Sequence, residues 1–149
     1  MKKKKILPPT TFWISLMLSI GLHFILPIKK FITAPYNYTG ILLIFGGILL
    51  NLWADYLFKN KKTTVKPFEK SSCLIEEGPF VFSRNPMYLG MTIILLGTSI
   101  TLGSVIPFII TVVFPFFISI SFILPEEKSL EETFGQDFIE YKKRVRRWL

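Results

Sequence analysis

"YNYTGILLIFGGILLNLWADYLF", residues 36–58, is the clearest structural signal in the chain. It carries no charge from Tyr36 to Ala54, with tyrosines at one end and Trp53 and Tyr56 at the other. About 20 apolar residues in a helix cover the hydrocarbon core of a bilayer. Amphipathic aromatic rings collect at its two interfaces. The stretch is therefore a crossing helix. Asp55 falls in its last turns and is expected to be an interfacial residue without a chemical role. Gly40, Gly46 and Gly47 leave the backbone bare for close approach by a neighbouring helix.

On either side of it, residues 8–28, 87–103 and 105–124 repeat the apolar, nearly uncharged pattern. The expectation is a single all-α domain over 1–149. It is a polytopic membrane helical bundle with about four transmembrane helices and a C-terminal amphipathic cytoplasmic helix in 125–149. The basic start "MKKKK" precedes a long apolar run with no small-residue cleavage site, so the first span reads as a retained helix and not a leader. The single histidine, His23, lies inside that span and is expected to be packed or interfacial, because no second ligand stands near it. One cysteine, Cys73, excludes an internal disulfide and a cysteine-rich metal cluster. No metal site is expected, and neither a P-loop nor a dinucleotide glycine fingerprint is present.

The net charge of +8 is placed by topology. Four Lys/Arg precede the first span, two lie in 29–35, six in 59–86, none between the last two spans, and six follow residue 124. Alternate segments thus carry 16 against 2, the positive-inside pattern. Both termini and the 59–86 loop are expected in the cytoplasm. The basic excess serves orientation and attraction to anionic lipids, and no nucleic-acid partner is implied. Lysine- and isoleucine-rich usage points to a microbial cell membrane.

The 59–86 loop is long, but Phe68, Leu74, Ile75, Phe80 and Phe82 are too apolar for a solvated tail. It is expected to fold back on the bundle. Within "EEGPFVFSRNPMYLG", residues 76–90, Pro79 and Pro86 stiffen the backbone and Gly78 permits a conformation other residues avoid. A re-entrant lid results, with Arg84 and Asn85 directed into a pocket beneath. "TLGS", residues 101–104, leaves room only for a tight hairpin, which brings Arg84 to Tyr88 level with Glu126 and Glu127. Pro107 and Pro115 are expected to kink the last span or mark its start. Beyond it, Pro125 suits a first helical position, and Leu130, Phe134, Phe138, Tyr141 and Val145 recur as one apolar face. A cation, a phenol and two carboxylates therefore meet at the mouth of a bundle, together with the basic end "KKRVRRW". Carboxylates there can hold an ammonium group or ribose hydroxyls, and Arg84 can pair a carboxylate in forked geometry or snorkel to lipid phosphate.

These residues carry a resemblance. "GPFVFSRNPMYLG" resembles the signature G-P-[FY]-x-x-x-R-[HN]-P-x-Y-x-G of the isoprenylcysteine carboxyl methyltransferase and phospholipid N-methyltransferase superfamily. "EEKSLEETFGQDFIEYKKRV" resembles its second signature, and "TTVKPF" the segment that precedes the first. The likeness runs over about residues 40–149. It implies an integral membrane methyltransferase that uses S-adenosylmethionine from the cytosol and a lipid-like methyl acceptor entering from the bilayer, with a carboxyl or amine group as acceptor. By the motifs, Arg84, Asn85, Pro86, Tyr88 and Gly90 fall in the first cofactor-binding segment, Glu126 and Glu127 form the acidic pair, and Arg84 and Tyr88 stand nearest the chemistry. Of the G-x-G that phospholipid methyltransferases carry in an earlier helix, only Gly47 is retained. Asn85 replaces the histidine usual in prenylcysteine enzymes, and Arg146 replaces the proline of the R-V-P-R-[FW] ending.

Two other readings compete. Related membrane folds use a nicotinamide cofactor to reduce sterol-like or fatty substrates, and a non-catalytic lipid-binding protein would use the same motifs for packing.

Overall fold

The computed structural model describes residues 7–26, 30–61 and 73–149, and among them there is no strand. Six helices follow one another: α1 Pro8–Ile25, α2 Thr39–Asn60, α3 Pro86–Leu102, α4 Val105–Ile118, α5 Leu124–Phe134 and α6 Gln136–Arg144. Among the described residues, three helical stretches are long and apolar enough to cross a membrane: Pro8–Ile25, Tyr36–Asn60 and Val105–Phe134. The fourth expected span, α3, is an apolar helix of 17 residues.

The spine of the bundle is the antiparallel pair α2 and α3. Gly40 and Gly47 on α2 face Gly97 and Gly90 on α3, and all four are buried. A methyl carbon on Gly47 would sit 2.6 Å from the Gly90 carbonyl oxygen, and one on Gly97 would sit 2.5 Å from that of Gly40. In a bilayer, where lipid tails are as apolar as leucine, such backbone-to-backbone approach is what draws helices together. Outward on α2, Leu42, Phe45, Leu49 and Leu52 are exposed. Against the other face of α3 pack α1 and α4, burying Phe12, Met91, Leu95, Phe114 and Ile118 in one core.

The α3–α4 connection is as tight as "TLGS" suggests. Gly103 adopts φ +70°, and its amide donates to Ser99 O at 2.8 Å, closing the helix with a left-handed residue. Its carbonyl in turn accepts the amide of Phe31 at 2.9 Å. His23 is a packed side chain, with Nδ1 2.7 Å from the buried Ser104 hydroxyl. Asp55 pairs with Lys59 one turn on, at the end of α2.

One expectation about the C-terminal third is refined and one is corrected. Pro125 stands in the first turn of α5, as expected, but α5 is not a separate rod: Val105–Phe134 runs on through a widened π turn at Ser119–Ile123, where the amide of Leu124 reaches back five residues to Ser119. The wide turn relieves the clash a proline ring makes with the preceding turn, so Pro125 rides inside the rod. Nor is 125–149 one amphipathic helix. Gly135, at φ +54° and ψ −120°, separates α5 from α6, and after Arg144 the chain turns extended. Leu130, Phe134, Phe138, Tyr141 and Val145 still gather in a second core with Ala54, Ile75 and Phe80. The described part of the 59–86 loop does fold back: Leu74, Ile75 and Phe80 pack there, while Phe82 is exposed. Phe68 and the "TTVKPF" segment lie outside the described residues.

Candidate active site

Where the α3 N-terminus, α5, α6 and the start of α1 converge, they enclose a cavity of about 480 Å³. That lies within the range of small-molecule sites, roughly 300–1,000 Å³. Its walls are largely apolar, from Ile75, Phe80, Met91 and Leu130, and its polar groups include Arg84, Asn85, Tyr88, Glu126 and Glu127.

The approach to α3 places most of these. Gly78 takes φ +61°, and Pro79 and Phe80 are buried in the short 3₁₀ turn that follows. The Phe80 carbonyl accepts the Tyr141 hydroxyl at 2.7 Å. Burial, and then the Glu76 carboxylate, push that phenol upward, so it stays protonated and donates. Ser83 and Asn85 then bring the chain to Pro86, the first residue of α3 and a position where a missing N–H costs nothing. One turn into α3, the buried Tyr88 donates its hydroxyl to Glu126 Oε1 at 2.9 Å.

The two neighbouring carboxylates differ sharply in company. Glu127 is held from two sides. Arg84 Nη2 donates to its Oε1 at 2.8 Å, and Arg147 Nη2 to its Oε2 at 2.7 Å, with Arg147 Nε 3.2 Å from both oxygens. The bond to Glu127 holds the Arg147 proton more tightly than in a free guanidinium. Glu126 has the Tyr88 phenol and no cation within salt-bridge distance among the described residues.

Sequence reasoning placed Arg84, Asn85, Pro86, Tyr88, Glu126 and Glu127 together, and all six line the cavity. Gly47 and Gly90 it also assigned to the cofactor, but the structure puts them in the α2–α3 seam, away from the cavity wall. The fork expected of Arg84 is closed on the chain itself: Nη1 donates to the Lys142 and Val145 carbonyls at 3.2 Å each, and Nη2 to Glu127. Its buried Nε has no partner. Arg147 was not singled out, although it stands where the R-V-P-R-[FW] ending carries its second arginine.

A membrane bundle, helical throughout its described residues and with a polar cavity at the end of its central helices, is the class of protein that this geometry defines. A family model described as phospholipid methyltransferase matches residues 36–137, more than half of the chain. The chain therefore belongs to the phospholipid methyltransferase family, membrane methyltransferases that act on lipid-like substrates. A relative from Haemophilus influenzae described as an uncharacterized protein is 38% identical over 63 residues, which are 42% of this chain and 100% of that protein.

Proposed function

We propose that the protein transfers a methyl group from S-adenosylmethionine to a lipid-like acceptor, in the cavity bounded by Tyr88 and Glu126. One observation carries the reading: Arg84 and Tyr88 of one motif bond directly to Glu127 and Glu126 of the other, at the wall of a single cavity. The residues fit the cofactor's chemistry. Glu126 offers an acceptor for hydroxyls or an ammonium group, the orphaned Nε of Arg84 is a buried donor, and Ile75, Phe80, Met91 and Leu130 suit a flat ring system. Bound there, the cofactor supplies a sulfonium methyl already activated for in-line displacement, and the chain's part is to position and to exclude water.

The bilayer, in this reading, holds the uncharged part of the last long helix up to Leu124, since about 20 residues at 1.5 Å rise already span ~30 Å. Glu126 and Glu127 then stand just beyond it on the cytoplasmic side, and the acceptor arrives from the lipid. Burial pushes Glu126 up from its ordinary 4.5 to about 7; the Tyr88 bond opposes this and the charge of Glu127 adds to it. Burial also pushes Glu127 up, but the bond from Arg147 and the charges of Arg84 and Arg147 outweigh it and hold that carboxyl below its usual range. Glu127 thus stays a fixed charge, and Glu126 is the carboxyl free to change state near neutrality.

A nicotinamide reductase is disfavoured on the cavity itself, because Arg84 is the one cation among its described lining residues and Glu127 already neutralises it. Thermal shift of the purified protein with S-adenosylmethionine, its demethylated product and a reduced nicotinamide cofactor separates the readings. Stabilisation by the first two alone is expected. Stabilisation by the nicotinamide cofactor, or by none of the three, sinks the methyltransferase reading.

A further inference from the structure

Beyond α6 the chain has no regular structure, yet it touches the most consequential polar segment of the molecule. The carbonyl of Arg146 accepts the Arg84 amide at 3.0 Å. That of Arg147 accepts Asn85 Nδ2 at 3.1 Å and the Ser83 hydroxyl at 3.4 Å, and that of Val145 accepts Arg84 Nη1 at 3.2 Å. Residues 83–85 lie in neither helix nor strand, so their buried polar groups need partners from elsewhere. The strap formed by Val145–Arg147 supplies them. Asn85, the residue that would cap α3, makes no side-chain cap bond; its amide goes to the strap instead.

The strap in turn needs an anchor. Val145 is buried in the second core and Trp148 packs against the first, but the polar anchor is Arg147, which grips both oxygens of Glu127. Its side chain is 37% exposed where that of Glu127 is 8% exposed, so it reaches inward from the surface to a buried charge. These residues lie past 137, where the family match ends.

We propose that Arg147 is a positioning residue: by clamping Glu127 it holds the C-terminal strap against residues 83–85, and so sets the start of α3 that carries Tyr88 toward Glu126. The proposal rests on the methyltransferase reading for its functional consequence and on geometry alone for the strap. Two measurements on the full chain in detergent keep these apart. In the first, Arg147→Ala is expected to raise the cofactor KM about tenfold with kcat changed less than about threefold. Arg147→Lys is expected to recover part of the loss, since an ammonium gives one contact where a guanidinium gives two. In the second, hydrogen exchange without cofactor is expected to quicken at the Arg84 amide in Arg147→Ala, with α2 amides unchanged. A parent protein that fails to bind S-adenosylmethionine while Arg147→Ala still loosens Arg84 removes the functional reading and supports the strap. Unchanged exchange at Arg84, or faster exchange with parent-like KM, overturns the positioning role. Should Arg147→Ala not fold, the Arg147→Lys variant decides by the same two readouts.

Discussion

The two ends of the bundle solve the same problem with different chemistry. At the α3–α4 turn, the exposed backbone groups are met by neutral partners. Phe31 and Ile32 donate to the Gly103 carbonyl, Asn37 Nδ2 reaches Thr101 O at 3.3 Å, and His23 meets Ser104. At the opposite end of α3, closure runs through two arginines and a glutamate, Arg84–Glu127–Arg147, beside an open cavity. Buried ion pairs are a poor way to gain stability, because desolvation consumes most of the attraction. Neutral bonds suffice at one end, whereas the other holds its C-terminal strap through buried charge. That difference fits the proposed site, since charge is kept where the cavity lies.

The comparison is broken most severely at Glu127. Glu127→Ala leaves Arg84 buried with no carboxylate and releases Arg147. Removing one member of a buried pair costs about 3–5 kcal/mol, and we expect lost cofactor binding together with a lowered unfolding midpoint in detergent. A variant of parental stability would show that water replaces Glu127 and that the triad is not closed.

Glu126→Gln tests the neighbouring carboxylate with the fold preserved. Losing a charge-assisted hydrogen bond costs about 1.5–3 kcal/mol, roughly ten- to a hundredfold in affinity. Glu131→Gln, at a half-exposed pair with Lys142 off the cavity wall, should change little. The effect carries a pH signature, because Glu126 is pushed up to about 7. Cofactor affinity should fall as pH drops through about 7 in the parent and stay flat in Glu126→Gln. Stability without ligand runs the other way. A carboxyl raised above its ordinary value favours the fold while protonated, so the ligand-free protein should lose stability as pH rises from about 4.5 to 7. A titration of affinity that is identical in parent and variant would assign the ionisation to another group.

Next comes the seam. Gly97→Ala pushes a methyl against the Gly40 carbonyl and Ile44, and overpacking of this kind costs about 1–3 kcal/mol. Unfolding in bicelles should report that loss with an unaltered cofactor KM, since the seam does not line the cavity. A raised KM without destabilisation would return the glycines to the site.

Much of this was open to reading, and the failures have physical causes. Spans announce themselves because charge in a bilayer is costly, and the meeting of Arg84–Tyr88 with Glu126–Glu127 followed from a hairpin with no room for anything but a turn. The close approach expected at Gly40 and Gly47 is met by Gly97 and Gly90, and the spacing of seven within each pair, two helical turns, is the sequence sign of facing helices. Gly135 was overridden by an apolar periodicity that continues across it, because the core on both sides is the same. Beyond its meeting with Glu127, the closure of the Arg84 fork was not legible, since its bonds to the Lys142 and Val145 carbonyls depend on a tail folded back over 58 and 61 residues of sequence. Nothing local distinguishes an arginine that waits for a ligand from one already engaged.

The smallest effect is expected at the quiet end. Ser104→Ala removes the hydroxyl that meets His23 Nδ1 at 2.7 Å, a single neutral hydrogen bond. Its net worth is about 0.5–1.5 kcal/mol. His23 is only half-buried, so water or lipid headgroups can meet the freed nitrogen and keep the cost near the lower bound. Gly103 and its bonds to Phe31 and Ile32 are backbone features that the substitution leaves in place. Unfolding should therefore shift slightly, and the KM for cofactor, set at the opposite end of α3, should not move. If Ser104→Ala instead altered KM as Arg147→Ala is expected to, α3 would be transmitting a displacement along its length, and the two ends would have to be treated as one coupled device.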